Sequence, residues 1–316
     1  MTGRCLSLSH LTFYVTNAKQ AALNWCMQYG FKPFRFRGLE TGHRQQCGHA
    51  VRNNEIVLVF VSPYDYTDDS MNAYLIRHGN SVKDIGMYYV SLWYYFDQNF
   101  NVPALNVDCL SSISDRIKKY GLPIREWTEE DSHGLVKYAQ VLAFGDTTHT
   151  LVERNKYPGN EFLPNWHPNP LESHLTGSIW SQLPDTGLKR IDHLAMNQLT
   201  GTGKQVGQWY NQMLNFKRFW SNDDTIINTD SSGLRAIFMI NDDDGNVKLT
   251  INEPISGSHK SQIQEFLDYH QGPGVQHIAF STDDISESII QLKNRGLLHQ
   301  LVSINTILCL FKNFRR

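Results

Sequence analysis

Apolar and polar positions along this chain fall into one recurring unit, a short strand followed by an amphipathic helix, and the unit comes round four times. Near the start, SHLTFYVTNAKQAALNWCMQYGFKPFRF reads as a strand opening on His10, a polar turn, and a helix carrying Trp25. Near the middle, DHLAMNQLTGTGKQVGQWYNQMLNFKRFW has the same layout, with His193 and Trp209. The pairs His10/His193, Trp25/Trp209 and Phe31/Phe216 keep nearly constant offsets. One long offset means two copies of one domain, since solenoids repeat every roughly 20–50 residues. Each copy holds a weaker echo of the unit, VPALNVDCLSSISDRIKKYGLPI in the first and GVQHIAFSTDDISESIIQLKNRGL in the second. In the last of these Ile285, Ile289 and Leu292 make one apolar helix face, and Asp283 and Asp284 sit where acidic side chains favour a helix start. Strand candidates between the helices include EIVLVFV, LVKYAQVLAF and THTLVE, which are short and β-branched.

Between the copies lies YPGNEFLPNWHPNPLESHLTGSIWSQLPDTG, with Pro158, Pro164, Pro168, Pro170 and Pro184. Proline at this density denies backbone donors, so a linker lying across the surface is expected. The expected division is a first domain over 1–157, a linker over 158–186 and a second domain over 187–316.

Composition adds limits. Apolar residues make up 41% and charged residues 19%, which suits a packed core. The 29 Lys and Arg nearly balance 31 Asp and Glu without a like-charge block, so nothing points to nucleic acid or an anionic membrane surface. No run approaches the roughly 18 apolar residues of a membrane helix, and the N-terminus lacks a signal-peptide layout. Five cysteines, Cys5, Cys26, Cys47, Cys109 and Cys309, form no CxxC pair and are read as reduced thiols of a cytoplasmic protein.

The segments HLTFYVTNAKQAA, RGLETG, GDTTHTLVE, IDHLAMNQ, NEP, KSQIQEFLDY and GVQHIAF together resemble the 4-hydroxyphenylpyruvate dioxygenase family of the vicinal-oxygen-chelate superfamily, over most of the chain. The resemblance implies an α+β fold, with duplicated βαβββ modules forming two open-barrel domains. It also implies Fe(II) as cofactor, conversion of 4-hydroxyphenylpyruvate and O2 to homogentisate and CO2 in tyrosine breakdown, and a homodimer. Two iron ligands carry over to His193 in IDHLA and His277 in VQHIA. Two imidazoles and a carboxylate on one face leave room for a chelating substrate and O2. Asn252 in NEP, Gln262 in KSQIQ and Gln276 beside His277 carry over as substrate-binding amides, which donate and accept without adding charge near iron. Where the family commonly has Ser, this chain has Ala236. In the first copy Ala104 is read as standing where His277 stands, so that copy is expected to be structural, with His10, His49 and His149 buried and hydrogen-bonded.

Two stretches depart from the family. GMYYVSLWYYFDQNFN, residues 86–101, interrupts a run the family makes directly, and is expected to be poorly ordered or to bulge from the surface. LVSINTILCLFKNFRR stands in place of the family's own sequence after the RGL helix. Both contain Val-Ser, at Val90-Ser91 and Val302-Ser303, as an in-frame intron opening would encode, so translated intron and divergent coding sequence are both open readings. The family's third ligand is a Glu on the last strand of the second copy. Glu153 marks that strand in the first copy, and the matching place in the second falls beyond Arg316. Glu287, the one Glu after His277, lies on the next helix. The expectation is a second domain without its last strands and a chain of impaired activity. The alternatives are an inactive regulatory partner or a hydroxymandelate synthase-like enzyme.

Overall fold

The computed structural model describes residues 3–65, 69–91, 109–154, 157–175, 182–219, 225–228, 233–241, 245–255, 257, 259–297 and 307–312. Among the described residues the architecture is α+β, with two curled mixed sheets of nine and seven strands. Backbone contacts divide the chain into two compact units. The first comprises Met1–Ser9, Asp84–Asn165 and Asn197–Gln264, and the second His10–Lys83, Trp166–Met196 and Glu265–Arg316.

In the second unit, β1 (Gly3–Tyr14, from His10 on) pairs parallel with β4 (Ile56–Pro63), register Leu11↔Leu58 to Tyr14↔Val61. Antiparallel β3 (Gln46–Asn53) and β2 (Lys32–Arg37) extend the sheet. Helix α1 (Ala18–Tyr29) begins where the Asn17 side chain accepts from the Gln20 N–H at 2.9 Å. It ends on Gly30 at φ 75°, a left-handed cap that turns Phe31 into the core. This unit also holds α2 (Asp69–His78), β10 (Arg190–Asn197, as far as Met196), β15 (Gly274–Thr282) and α7 (Ile285–Asn294). Asp284 caps α7, accepting from the Ser286 and Glu287 N–H groups.

The first unit repeats the design. Strand β5 (Ser81–Ser91, from Asp84 on) pairs parallel with β8 (Thr147–Glu153). Antiparallel β7 (Gly134–Phe144) and β6 (Ile124–Asp131) continue the sheet, with α3 (Cys109–Lys119) packed on it. Strand β11 (Lys217–Arg218), β12 (Thr225–Asn228) and β14 (Lys248–Ile255) pair with β13 (Gly233–Ile240), under α5 (Gly203–Leu214). Helix α5 closes on Asn215 at φ 59°, and the next residue is fully buried Phe216. The Gly30-Phe31 device thus recurs, which is the physical content of the Phe offset.

Three sequence expectations are corrected. Residues 86–91 do not bulge. They complete β5, where Met87 (0% exposed) and Tyr89 (3%) pair with Leu151 and Glu153. Gly86, Met87 and Tyr89 are all buried, and near-continuous burial suits an inner strand. Residues 92–101 and Ala104 lie outside the described residues. The linker is partly structured. His167 and Pro168 form β9 against β2, α4 runs Leu171–Leu175, and Phe162, Leu163 and Leu171 are buried. Finally, the chain after α7 supplies one further strand, β16 (Ile307–Lys312), parallel to β15 with His277 opposite Ile307. ILCLFK is apolar enough to fill the place beside β15 that β4 fills beside β1. No helix among the described residues is long and apolar enough to cross a membrane.

Buried histidines mark the core. His149, fully buried, lies with Nδ1 3.3 Å from the Ile85 carbonyl and Nε2 2.6 Å from the Tyr210 hydroxyl, and His49 meets the Asn169 side chain. Burial pulls His10 and His149 down to about 4. A histidine whose folded value lies below its unfolded value near 6.5 binds fewer protons when folded. Its contribution is intact above pH ~6.5 and is lost as pH falls toward 4, at roughly 1.4 kcal/mol per pH unit per group. The unfolding free energy should therefore decline over that window, and His149→Gln should flatten the decline by about one such group. Urea titrations across the window read it, and an unchanged slope in the variant would remove His149 from the account.

Candidate active site

Two imidazoles meet in the second unit. His193 sits on β10 and His277 on the neighbouring β15, with ring centroids 5.6 Å apart and planes at 75°. The Nδ1 of His193 lies 3.0 Å from the Asp192 carboxylate, whose acceptor oxygens favour the proton on Nδ1 and leave the lone pair on Nε2. A carboxylate behind a metal-ligating imidazole orients the ring and raises its basicity. His277 is held down to about 4, chiefly by burial and then by repulsion from His193, so it is neutral at ordinary pH. The His277 ring is thus in the state a cation requires.

The spacing permits a shared ion. A metal–nitrogen bond of about 2.1 Å plus about 1.2 Å to the ring centre lets two centroids around one ion lie up to roughly 6.6 Å apart, beyond the distance found. No group of three or more His, Cys, Asp or Glu that could hold a metal occurs among the described residues. Glu287 is exposed on α7, accepts from the Gln291 amide, and is not part of the pair.

The amides are distributed unevenly. Gln276 is buried at 3% but precedes His277 on β15, so by the two-residue strand period the two side chains leave opposite faces. Asn252, buried at 6% on β14, stands opposite Ala236 of β13 and donates through Nδ2 to the Asn197 side chain at 3.4 Å. Gln262 opens α6 (Gln262–His270) and is exposed. Ile263, Phe266 and Leu267 of that helix are core.

Residues 190–306 match the Glyoxalase/Bleomycin resistance protein/Dioxygenase superfamily. Over 297 residues the chain is 40% identical to 4-hydroxyphenylpyruvate dioxygenase of Danio rerio, covering 93% of this chain and 69% of that one. The Xenopus tropicalis relative of the same name is 39% identical, with 93% and 70% covered. The chain belongs to the 4-hydroxyphenylpyruvate dioxygenase family. Among solved structures it is similar to a mutant 4-hydroxymandelate synthase from Streptomyces coelicolor, with TM-score 0.73, 25% identity, and 93% and 76% of the two chains covered.

Other features of this family member were missed in the sequence. Asp192, Asn197 and Glu253 all lie inside the family motifs; Asp192 acts on its neighbour His193, while the partners of Asn197 and Glu253 lie 55 and 50 positions away. Glu253, 4% exposed, accepts from the Gly203 N–H at the start of α5, beside Arg235 at 3.7 Å. Glu153, 1% exposed, does the same for the Leu110 N–H of α3 at 2.8 Å, beside Lys137 at 3.8 Å. In both cases the cation is the cross-strand partner of the acid, Lys137↔Glu153 and Arg235↔Glu253. Ser62 plays the acceptor part for the Ala18 N–H of α1. Opening strands also correspond: Val82-Lys83-Asp84-Ile85 on β5 matches Val275-Gln276-His277-Ile278 on β15. Asp84 there accepts from Thr148 at 2.5 Å and Thr150 at 2.9 Å, a partnered carboxylate rather than an imidazole.

Proposed function

We propose that the chain is a dioxygenase acting on 4-hydroxyphenylpyruvate and O2 to give homogentisate and CO2, with Fe(II) held by His193 and His277. The observation that carries this reading is the pair of imidazoles 5.6 Å apart on the strands where the family resemblance places its ligands. Ferrous iron, when bound, supplies a chelation point for the 2-oxo acid and activation of O2 beside it. The chain's own residues do the rest. Asp192 holds the His193 ring so that Nε2 points its lone pair outward from the carboxylate. Burial keeps His277 unprotonated, so no proton competes for its nitrogen near neutral pH. By the family resemblance Asn252 and Gln262 are the amides that would bind polar groups of the substrate without adding charge, whereas Gln276 leaves the opposite face of β15 from His277. Among the described residues the two imidazoles are the protein donors.

The test is O2 uptake and product identification with Fe(II), ascorbate and 4-hydroxyphenylpyruvate. Uptake that a chelator abolishes, with homogentisate as product, is expected. Likeness to a 4-hydroxymandelate synthase structure makes 4-hydroxymandelate the other product to assay, and its appearance would move the chain to that activity. Uptake no greater than that of His277→Ala would end the reading.

A further inference from the structure

Helix α5 packs on β13 and β14 and buries Gly203, Gly207, Tyr210, Met213 and Leu214. Beside that face runs a second stripe. Lys204, Gly207, Gln208, Asn211 and Gln212 follow the i, i+3, i+4, i+7, i+8 spacing of one helix side. The stripe carries a cation, a glycine and three amides where it overlooks β13. With Ile237 and Met239 of that strand it lines a cleft of about 250 Å³, a little under the roughly 300–1,000 Å³ of small-molecule pockets. Arg218 completes the wall. It stands opposite Met239 in the β11–β13 ladder, so its side chain leaves the same face of the sheet. Gly207 has no positive φ, and a Cβ there would meet Ile237, Ile251 and Met239 at 3.8–3.9 Å, ordinary contact distances. Neither backbone nor packing therefore requires a glycine, which a helix interior disfavours relative to alanine. The missing methyl leaves room on the floor of the cleft and lets a ligand approach the backbone closely.

The lining has one sign of charge. Lys204 and Arg218 are its charged members, both exposed, and no carboxylate lines it among the described residues. Asn211 is anchored, its Nδ2 donating to the Phe216 carbonyl at 2.8 Å, which leaves Oδ1 as an acceptor. A bare inorganic anion would use the two cations and leave Ile237 and Met239 wet. We propose that this cleft binds a small carboxylate with a flat apolar body, the carboxylate held by Lys204 and Arg218 and the body lying over Gly207, Ile237 and Met239. A guanidinium grips a carboxylate through two parallel hydrogen bonds, and a lysine adds a point charge. The thioether of Met239 adapts to a ring face or edge. Neither His193 nor His277 lines the cleft, which lies wholly in the first unit. Binding there does not depend on the proposed reaction and stands or falls apart from it.

The test is a titration of the full chain, labelled with 13C-methyl methionine, using phenylacetate as the probe. Phenylacetate carries a carboxylate on a flat ring and has no 2-oxo group to chelate iron. The Met239 methyl signal, assigned through Met239→Leu, should shift with roughly millimolar affinity, as a small exposed ligand gives. The neutral probe 2-phenylethanol keeps the ring and should bind on the order of 5-fold or more weakly. Lys204→Ala and Arg218→Ala should each weaken phenylacetate on the order of 5-fold, the effect of an exposed charge. Gly207→Ala should block the probe while raising the thermal midpoint, since alanine favours the helix. Gln205→Ala, an exposed position off the stripe, should bind as the parent does, and so should His277→Ala. Should Gly207→Ala fold poorly, the two cation variants, changed only at exposed side chains, still decide. A Met239 signal that phenylacetate leaves unmoved, that 2-phenylethanol moves equally, or that titrates identically in both cation variants overturns the proposal. So does an equal shift from inorganic phosphate, which would mean that charge alone draws ligands there.

Discussion

His277→Ala should strip iron from the protein, with metal retained after gel filtration falling about tenfold or more. Loss of an outer hydrogen bond to a metal-bound histidine already costs 10–100-fold in affinity, so loss of one of two imidazoles costs no less. His193→Ala should do the same, since the two rings lie 5.6 Å apart and would share the ion. Glu287→Ala is the control. That carboxylate is exposed on α7 and bonded to Gln291, so iron content should stay with the parent. Acid should mimic the histidine variants. Metal binding requires a free lone pair, and His277, at about 4, keeps its own far below neutrality. The same depressed value makes the metal-free protein lose stability as pH falls from ~6.5 toward 4, so His277→Ala should be less acid-sensitive than the parent while binding less iron. Iron retention in His277→Ala equal to that of the parent would show that the pair is ordinary core.

That pair was legible because two signals coincided. IDHLA and VQHIA recur in duplicated positions, and strands with a two-residue period put their histidines on predictable faces. The caps were legible for a similar reason, since Asn17 and Asp284 act within three residues of themselves. The features that escaped depend on distance along the chain. Residues 86–89 read as foreign because nothing local says that Met87 will pair with Leu151, 64 positions on. The β9 strand hides in a proline-rich stretch, where Pro168 costs one donor and His167 still pairs with Phe36. Gln276 was grouped with its neighbour His277 by family likeness, although strand alternation alone sends the two apart. Asn197 gives no pattern of its own, since its partner Asn252 lies 55 positions on.

Glu253→Ala should lower the unfolding free energy by about 2–4 kcal/mol, a large share of the 5–15 kcal/mol typical of a domain. The side chain is 4% exposed and satisfies the first N–H of α5, whose partial positive charge favours a carboxylate. Removing it leaves the Gly203 N–H without that acceptor and takes away a carboxylate 3.7 Å from Arg235. Truncating one partner of a buried charged contact costs more than the contact contributes, because the other is left stranded. Arg235 keeps 43% of its side chain exposed, so water recovers most of its loss and the ion pair itself contributes under about 1 kcal/mol. Glu253→Gln should cost less, since an amide oxygen still accepts. Gly203→Ala should also destabilise, as a Cβ there would come within 2.9 Å of the Glu253 Oε1. The effect should reach further than the helix start. Helix α5 carries Tyr210, whose hydroxyl meets buried His149, so a loosened α5 should raise amide exchange around β8 as well. Glu153→Ala should reproduce the pattern at α3, with Lys137 in the place of Arg235, because the same cross-strand pair was built into both repeats. Urea unfolding of the two alanine variants measures it. A loss under about 0.5 kcal/mol at either site, the range of an ordinary surface change, would mean that these carboxylates do not hold their helices.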